Sequence, residues 1–345
     1  MINSQEIFEA FKEAFKNDRP KFIKPWMSSW DYQDIRKKRQ VDYSEGLPTD
    51  FYTYNGPEDI VEWFKWQDVK KPDYFDEKLV DKLILKSKNF DKRLFEKHNL
   101  DFNLSFYEQH VARNNAQDFI LSNFYPMLHP KKGQKVLDFG AGYGRQFNLW
   151  SQSDDDNLVF VSIDAIPKSY CLQNLYYNNS DFKIHEYVYE KDDFNLKNPQ
   201  KGVYHLPTWR FDLIPDNFFD KILVVQVLQE LNGQLVKHVV KEFQRILKPE
   251  GVLYIRDHMN AWRPTHKLDI DNYLSNNGFA LEFKPHIIDK TDLHGIPRIW
   301  RKLNPEVINK QEVSTRQRLI ELKNSIDSAT GGKLKQLIKG ITRIK

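Results

Sequence analysis

Two groups of residues in this chain have types and spacing that could do chemistry. The first is the run Asp138-Phe139-Gly140-Ala141-Gly142-Tyr143-Gly144, with a glycine at every second position. A residue without Cβ takes positive φ freely and lets the backbone approach a ligand closely. The helix expected to start near Arg145 offers free N–H groups and a positive dipole end to a carboxylate. Asp138 can pair with an ammonium group, so the run suits a methionine moiety, which carries both charges. Asp164, followed by Ala165, ends the next apolar run, where an acid can accept hydrogen bonds from both hydroxyls of a ribose. Dehydrogenases cradle pyrophosphate with a similar device at Gly-x-Gly-x-x-Gly spacing; Gly-x-Gly-x-Gly tilts the choice away from a dinucleotide. The second group can move protons. His258 directly follows Asp257, Glu230 lies further back in the chain, and His110 shares a helical face with Arg113.

Strands and helices must position these side chains. Apolar runs at 135–139, 158–164, 221–227 and 251–257 read as strands one, two, four and five. Strand three is expected at 202–206, with 183–189 competing for the place, and strands at 280–284 and 296–303 complete the sheet. An amphipathic helix at 234–247 is closed by Lys248-Pro249-Glu250-Gly251, a helix stop and a turn. Such alternation, over 127–304, is that of a parallel sheet with crossover helices. Ahead of it, 1–126 reads as a helical N-terminal extension, a substrate lid or accessory domain. Ile7, Phe8, Phe11 and Phe15 share one face of an opening helix, and further helices are expected at 58–66, 77–86 and 107–124. Behind it, 305–345 reads as a helical, basic, amphipathic tail, with a helix near 311–326.

The run Val136-Leu137-Asp138-Phe139-Gly140-Ala141-Gly142-Tyr143-Gly144-Arg145 resembles motif I of class I S-adenosylmethionine-dependent methyltransferases. Pro215-Asp216-Asn217-Phe218-Phe219-Asp220-Lys221-Ile222-Leu223-Val224 resembles the approach to and body of their fourth strand. Leu247-Lys248-Pro249-Glu250-Gly251-Val252-Leu253-Tyr254-Ile255 resembles their fifth-strand signature, and the three stand in the family's order. The resemblance implies an α/β fold, a Rossmann-like seven-stranded sheet with its last strand antiparallel. It also implies S-adenosyl-L-methionine as cofactor. Asp138, Gly140, Ala141, Gly142, Tyr143, Gly144 and Arg145 would hold its methionine part, and Asp164 with Ala165 its ribose. Thr208 and Trp209 occupy the usual place of an acid and a small residue beside the adenine, with Trp209 stacking on the ring as the alternative contact. Gln226 at the end of strand four and Arg113, in a segment that often covers the cofactor, complete the set.

Methyl transfer is an in-line displacement, so alignment is the main task, and a hydroxyl acceptor adds the need for a base. His258, Asp257, Glu230 and His110 are the candidates, with Asp257 either orienting the imidazole or acting itself. A looser likeness to bacterial sugar O-methyltransferases rests on domain order and on Ile163-Asp164-Ala165-Ile166-Pro167-Lys168-Ser169-Tyr170. It points to a small-molecule or glycan acceptor, for which Trp26, Trp30, Trp63 and Trp66 supply aromatic faces. A cofactor-binding scaffold without catalysis and a nicotinamide-dependent oxidoreductase are the other readings.

Composition bounds the partners. With 52 basic and 48 acidic residues the net charge is +4, too small to imply a nucleic-acid partner. The single cysteine, Cys171, cannot form an internal disulfide and suits a reducing compartment. His286, Asp289, Asp292 and His294 lack a ligand spacing, so no metal is expected. Without a signal-peptide core or an apolar span the chain is expected in the cytoplasm. Its basic tail would also suit peripheral contact with an anionic membrane surface. Oligomeric state leaves no mark in the sequence.

Overall fold

The computed structural model describes residues 4–18, 54–65, 77–101, 103, 105, 107–124, 133–257, 268–285 and 295–304. The chain divides into two units, Met1–Lys302 and Leu303–Lys345. The second unit lies almost wholly outside the described residues, and with it the expected helix at 311–326 and the basic tail. Among the described residues no helix is long and apolar enough to cross a membrane.

The strands are β1 (Lys135–Phe139), β2 (Val159–Asp164), β3 (Ile184–Glu186), β4 (Gly202–Pro207), β5 (Phe219–Val225), β6 (Leu247–Asp257), β7 (Phe279–Phe283) and β8 (Ile296–Lys302). They form one sheet in the order β3-β4-β2-β1-β5-β6-β8-β7. Every residue of β2 and β4 is buried, as expected of parallel strands covered on both faces. Among the described strands β8 runs opposite to the other seven, pairing antiparallel with both β6 and β7. The last strand in the chain is therefore the antiparallel one, as the resemblance implies. The sheet has one strand more than the seven expected, because both candidates for strand three form. Ile184 pairs with Val203 and Glu186 with His205, so β3 adds an outer edge beyond β4.

Strand order reverses at β1, which pairs with β2 on one side and β5 on the other. The carboxyl ends there open a crevice where ligands bind in sheets of this kind. β5 stops two residues before the expected end, since Gln226 takes φ +58° while its N–H still donates to Arg256 O at 2.8 Å. The amphipathic helix is α8 (Gly233–Ile246), capped by Asn232, whose side chain accepts from Leu235 N. Leu235, Val236, Val239, Val240, Phe243 and Ile246 are its buried stripe. No separate turn follows: Leu247 already pairs with Phe219, and the register slips before Lys221 meets Val252. The Lys248-Pro249-Glu250 segment is taken up as an irregularity at the start of β6, with Glu250 at φ +63°.

The N-terminal helices are α1 (Ser4–Asp18), α2 (Asp59–Lys65), α3 (Glu77–Lys97) and α4 (Arg113–Phe124), the last entered through a π-helical turn, Tyr107–Ala112. In α1, Ile7, Phe8 and Phe11 are buried and Phe15 packs against the core, which is the face read from the sequence. Four further helices are α5 (Phe147–Ser151), α6 (Pro167–Tyr177), α7 (Tyr187–Glu190) and α9 (Ile270–Asn276).

Candidate active site

The glycine-rich loop leaves β1 and turns back over β2: Gly140 N donates to Ile163 O at 2.8 Å. Gly140 and Gly144 have φ of +67° and +91°. A Cβ on Gly140 would lie 2.6 Å from Val227 Cγ2, and one on Gly144 2.8 Å from Tyr177 Cε1. Both positions are closed to a side chain by conformation and by contact. Ala141 is buried, and the Tyr143 ring points into the core, with its centroid 5.0 Å from that of Phe64 on α2. The side chain of Trp63, also on α2, faces Gly142, 3.6 Å from where a Cβ would sit. A buried Asp59–Lys168 ion pair at 3.1 Å fastens α2 to α6. The N-terminal extension thus lies directly on the loop.

The helix after the loop differs from expectation. It begins at Phe147 and has only five residues, so a dipole contributes little, and in the loop Gly140 N and Ala141 N donate to Ile163 O, Gly142 N to Asp164 Oδ2 and Gly144 N to Ala141 O. Arg145 is buried, and donates to Asn115 Oδ1 at 2.9 Å and to Asp118 Oδ2 at 2.6 Å. Asp118, on α4, also receives Gln146, Tyr254 and Arg256. Burial pushes its carboxyl up, but Arg256 and Arg145 outweigh that and hold it at about 2.

Asp138 is 1% exposed, and its Oδ2 has no hydrogen-bond partner among the described residues. Burial pushes its carboxyl up to about 8, against the pull of Arg145. An orphaned buried carboxyl near the end of β1 fits the ammonium group of an amino acid. Asp164 is arranged differently. Its Oδ1 accepts from Ala165 N at 2.6 Å and Ile166 N at 2.9 Å, and its Oδ2 from Gly142 N at 2.9 Å and Gln173 Nε2 at 3.0 Å. Burial raises this carboxyl to about 6 even so. Four N–H donors fill the lone-pair sites of a carboxylate. In this state Asp164 clamps the loop, and a ribose hydroxyl would reach it only by displacing a donor.

On the opposite side of the crevice, Asp257 ends β6 at 1% exposure. Its Oδ1 accepts from Val227 N at 3.0 Å, and its Oδ2 has no partner among the described residues. Burial raises its carboxyl to about 6. Because Val227 is the residue that closes over Gly140, Asp257 also helps set the loop. Gln226 is half-buried at the end of β5, between these two groups in the chain order of the sheet.

The other expected residues are scattered. Trp209 is packed under α1, with ring centroids 5.1 Å from Phe11 and 5.2 Å from Phe15, and its Nε1 donates to Asp18 Oδ2 at 3.1 Å. Its indole is thereby held in the contact with α1, which does not match stacking on an adenine. Thr208 beside it is buried. Glu230 is exposed at the end of a short 3-10 turn, and His110 is half-buried in the π-helical turn, one turn from the half-buried Arg113. His258 lies outside the described residues, as do Trp26, Trp30, Trp66 and the segment holding His286, Asp289, Asp292 and His294. Asp118 and Gln173, central to the observed geometry, are not among the residues that type and spacing single out. Nothing local marks Asp118. Gln173 had a faint signal, as a polar residue in a segment otherwise rich in aromatic and aliphatic side chains.

A family model described as a methyltransferase domain matches residues 107–310. No curated protein matches the chain. Among solved structures, the N-methyltransferase NodS from Bradyrhizobium japonicum WM9 in complex with S-adenosyl-L-homocysteine is 14% identical, covering 64% of this chain and 99% of its own, at a TM-score of 0.40. A SAM-dependent methyltransferase from Aquifex aeolicus is 21% identical, covering 53% of this chain and 92% of its own, at 0.33. The cyclase SpnF is 16% identical, covering 56% and 82%, at 0.39. At these scores nothing about substrate or reaction follows from the three structures.

Proposed function

The chain belongs to the methyltransferase domain family and is an S-adenosylmethionine-dependent enzyme, and on that premise we propose that it methylates a hydroxyl of a small-molecule or carbohydrate acceptor. S-adenosylmethionine, when bound, supplies a methyl group on a positively charged sulfur. Asp138 would pair with the ammonium of its methionine part. Asp257 takes the proton of the acceptor hydroxyl through Oδ2. The observation that carries the hydroxyl reading is this buried carboxyl, raised to about 6, with one oxygen anchored and the other without a partner among the described residues. A base whose pKa lies near the working pH is the efficient one. Trp63, over Gly142, supports a ring-shaped acceptor, since an aromatic face suits the apolar face of a sugar.

Two measurements test this. In calorimetry the chain binds S-adenosylhomocysteine, and affinity rises with pH below about 8, because Asp138 must lose its proton to meet the ammonium. The ligand lowers that pKa, so binding releases protons, and Asp138→Asn removes the release. Binding that is absent, or insensitive to pH, overturns the assignment of the loop. With a labelled methyl donor, label is expected in alkali-stable ethers of small polar or glycan fractions. Label confined to amines or to nucleic acid would overturn the acceptor class.

A further inference from the structure

The outer strand β3, which forms in addition to the other candidate for strand three, brings a buried acid into line with the cofactor loop. Glu186 on β3 is 4% exposed. It accepts from Tyr170 O–H and from Asn174 Nδ2 at 3.1 Å, and its Oε2 lies 2.8 Å from His205 Nδ1. His205, on β4, is fully buried and stacked on Tyr170 with ring centroids 3.6 Å apart. Its Nε2 is 2.9 Å from Gln173 Oε1. Gln173 Nε2 in turn donates to Gly142 O at 2.8 Å and Asp164 Oδ2 at 3.0 Å.

The hydrogen bonds admit one orientation. Gly142 O and the Asp164 carboxylate are acceptors, so the amide N–H₂ of Gln173 must face them. Its oxygen must then face Ser162 Oγ at 3.0 Å and His205, which requires His205 Nε2 to carry its proton and donate. Reversing the amide would set its oxygen against two acceptors, Gly142 O and Asp164 Oδ2, at zero exposure.

We infer that Gln173 is a positioning residue for cofactor binding, held in register by His205 and Glu186 so that it ties Gly142 of the loop to Asp164. The inference rests on the loop being the cofactor site. Gln173 touches both the loop carbonyl and the acid that expectation gives to the ribose. It is therefore the donor best placed to keep the two in register, and to yield Asp164 Oδ2 to a ribose hydroxyl.

The test is calorimetric titration of the full chain with S-adenosylhomocysteine, with melting temperatures recorded alongside. Gln173→Met removes the fork at nearly constant volume and is expected to weaken binding about 10- to 100-fold. His205→Phe keeps the stacked ring but removes the donor, and is expected to weaken binding to a similar extent. His205→Gln, which can place an N–H₂ near the Nε2 position, restores most of the affinity. Gln173→Met combined with His205→Phe binds no worse than Gln173→Met alone, as for two members of one relay. Should Gln173→Met fail to fold, Gln173→Glu keeps the shape and sets a carboxylate oxygen against Gly142 O and Asp164, with the same expected loss. Wild-type affinity in Gln173→Met or His205→Phe overturns the inference, as does additivity of the two losses or failure of His205→Gln to rescue. A wild-type chain that binds no S-adenosylhomocysteine removes the loop assignment and this inference together.

Discussion

Asp257→Asn is expected to lower kcat about 10²- to 10⁴-fold, the usual contribution of a general base, while S-adenosylhomocysteine affinity changes only a few-fold. Asparagine keeps an oxygen for the bond from Val227 N, so the loop that closes over Gly140 keeps its anchor. What is lost is the basicity of Oδ2. The pH profile gives the sharper sign. With the carboxyl raised to about 6, the wild-type rate falls as pH drops through that value and the base is protonated. In the variant this acid limb disappears, leaving a low, flat rate. The measurement uses the acceptor found by methyl labelling. An unchanged kcat would rule out Asp257 and shift attention to His258, the next residue in the chain.

Asp118→Asn is expected to destabilise the folded chain by about 3–5 kcal/mol, since breaking a buried ion pair leaves a charge without its partner. Here two guanidinium groups share the one carboxylate: Arg145 at 2.6 Å and Arg256 at 2.8 Å, both nearly inaccessible to water. Asparagine can still accept one hydrogen bond, but it brings an N–H₂ against donors. Denaturant unfolding near neutral pH gives the magnitude. The pH dependence has a definite sign. The folded carboxyl titrates at about 2, below the unfolded value of 3.8. Its stabilisation is therefore present above about 4 and lost as pH falls toward 2, where wild type and variant should converge. A difference that persists unchanged to that pH would mean the charge is not what matters. Because Arg145 leads out of the glycine loop, weaker cofactor binding should accompany the loss of stability.

These two residues also mark how much could be read from the chain alone. Asp257 was legible, because a strand ending in an acid at the carboxyl edge of a parallel sheet follows from apolar runs and their order. Asp118 was not. Its partners stand 27 and 138 positions away in sequence, and an acid within a helix looks the same whether it meets water or two arginines.

The same contrast holds at the loop. Glycine spacing after a buried strand gave the loop its place, because backbone conformation and the need for close approach are local properties. Tertiary contacts decided the rest. They turned Arg145 inward to Asp118 and placed Trp209 beneath α1. They filled the lone pairs of Asp164, and they let both 184–186 and 202–207 form strands where the sequence left two segments competing for one place. Local periodicity states which residues lie on a strand or helix. Which polar groups meet in the interior depends on where distant segments bring their donors, and burial then makes those meetings obligatory. Local pattern was enough for the β1 loop, seven strands of the sheet and the methyl donor; packing added the eighth strand and chose the polar groups that meet around them.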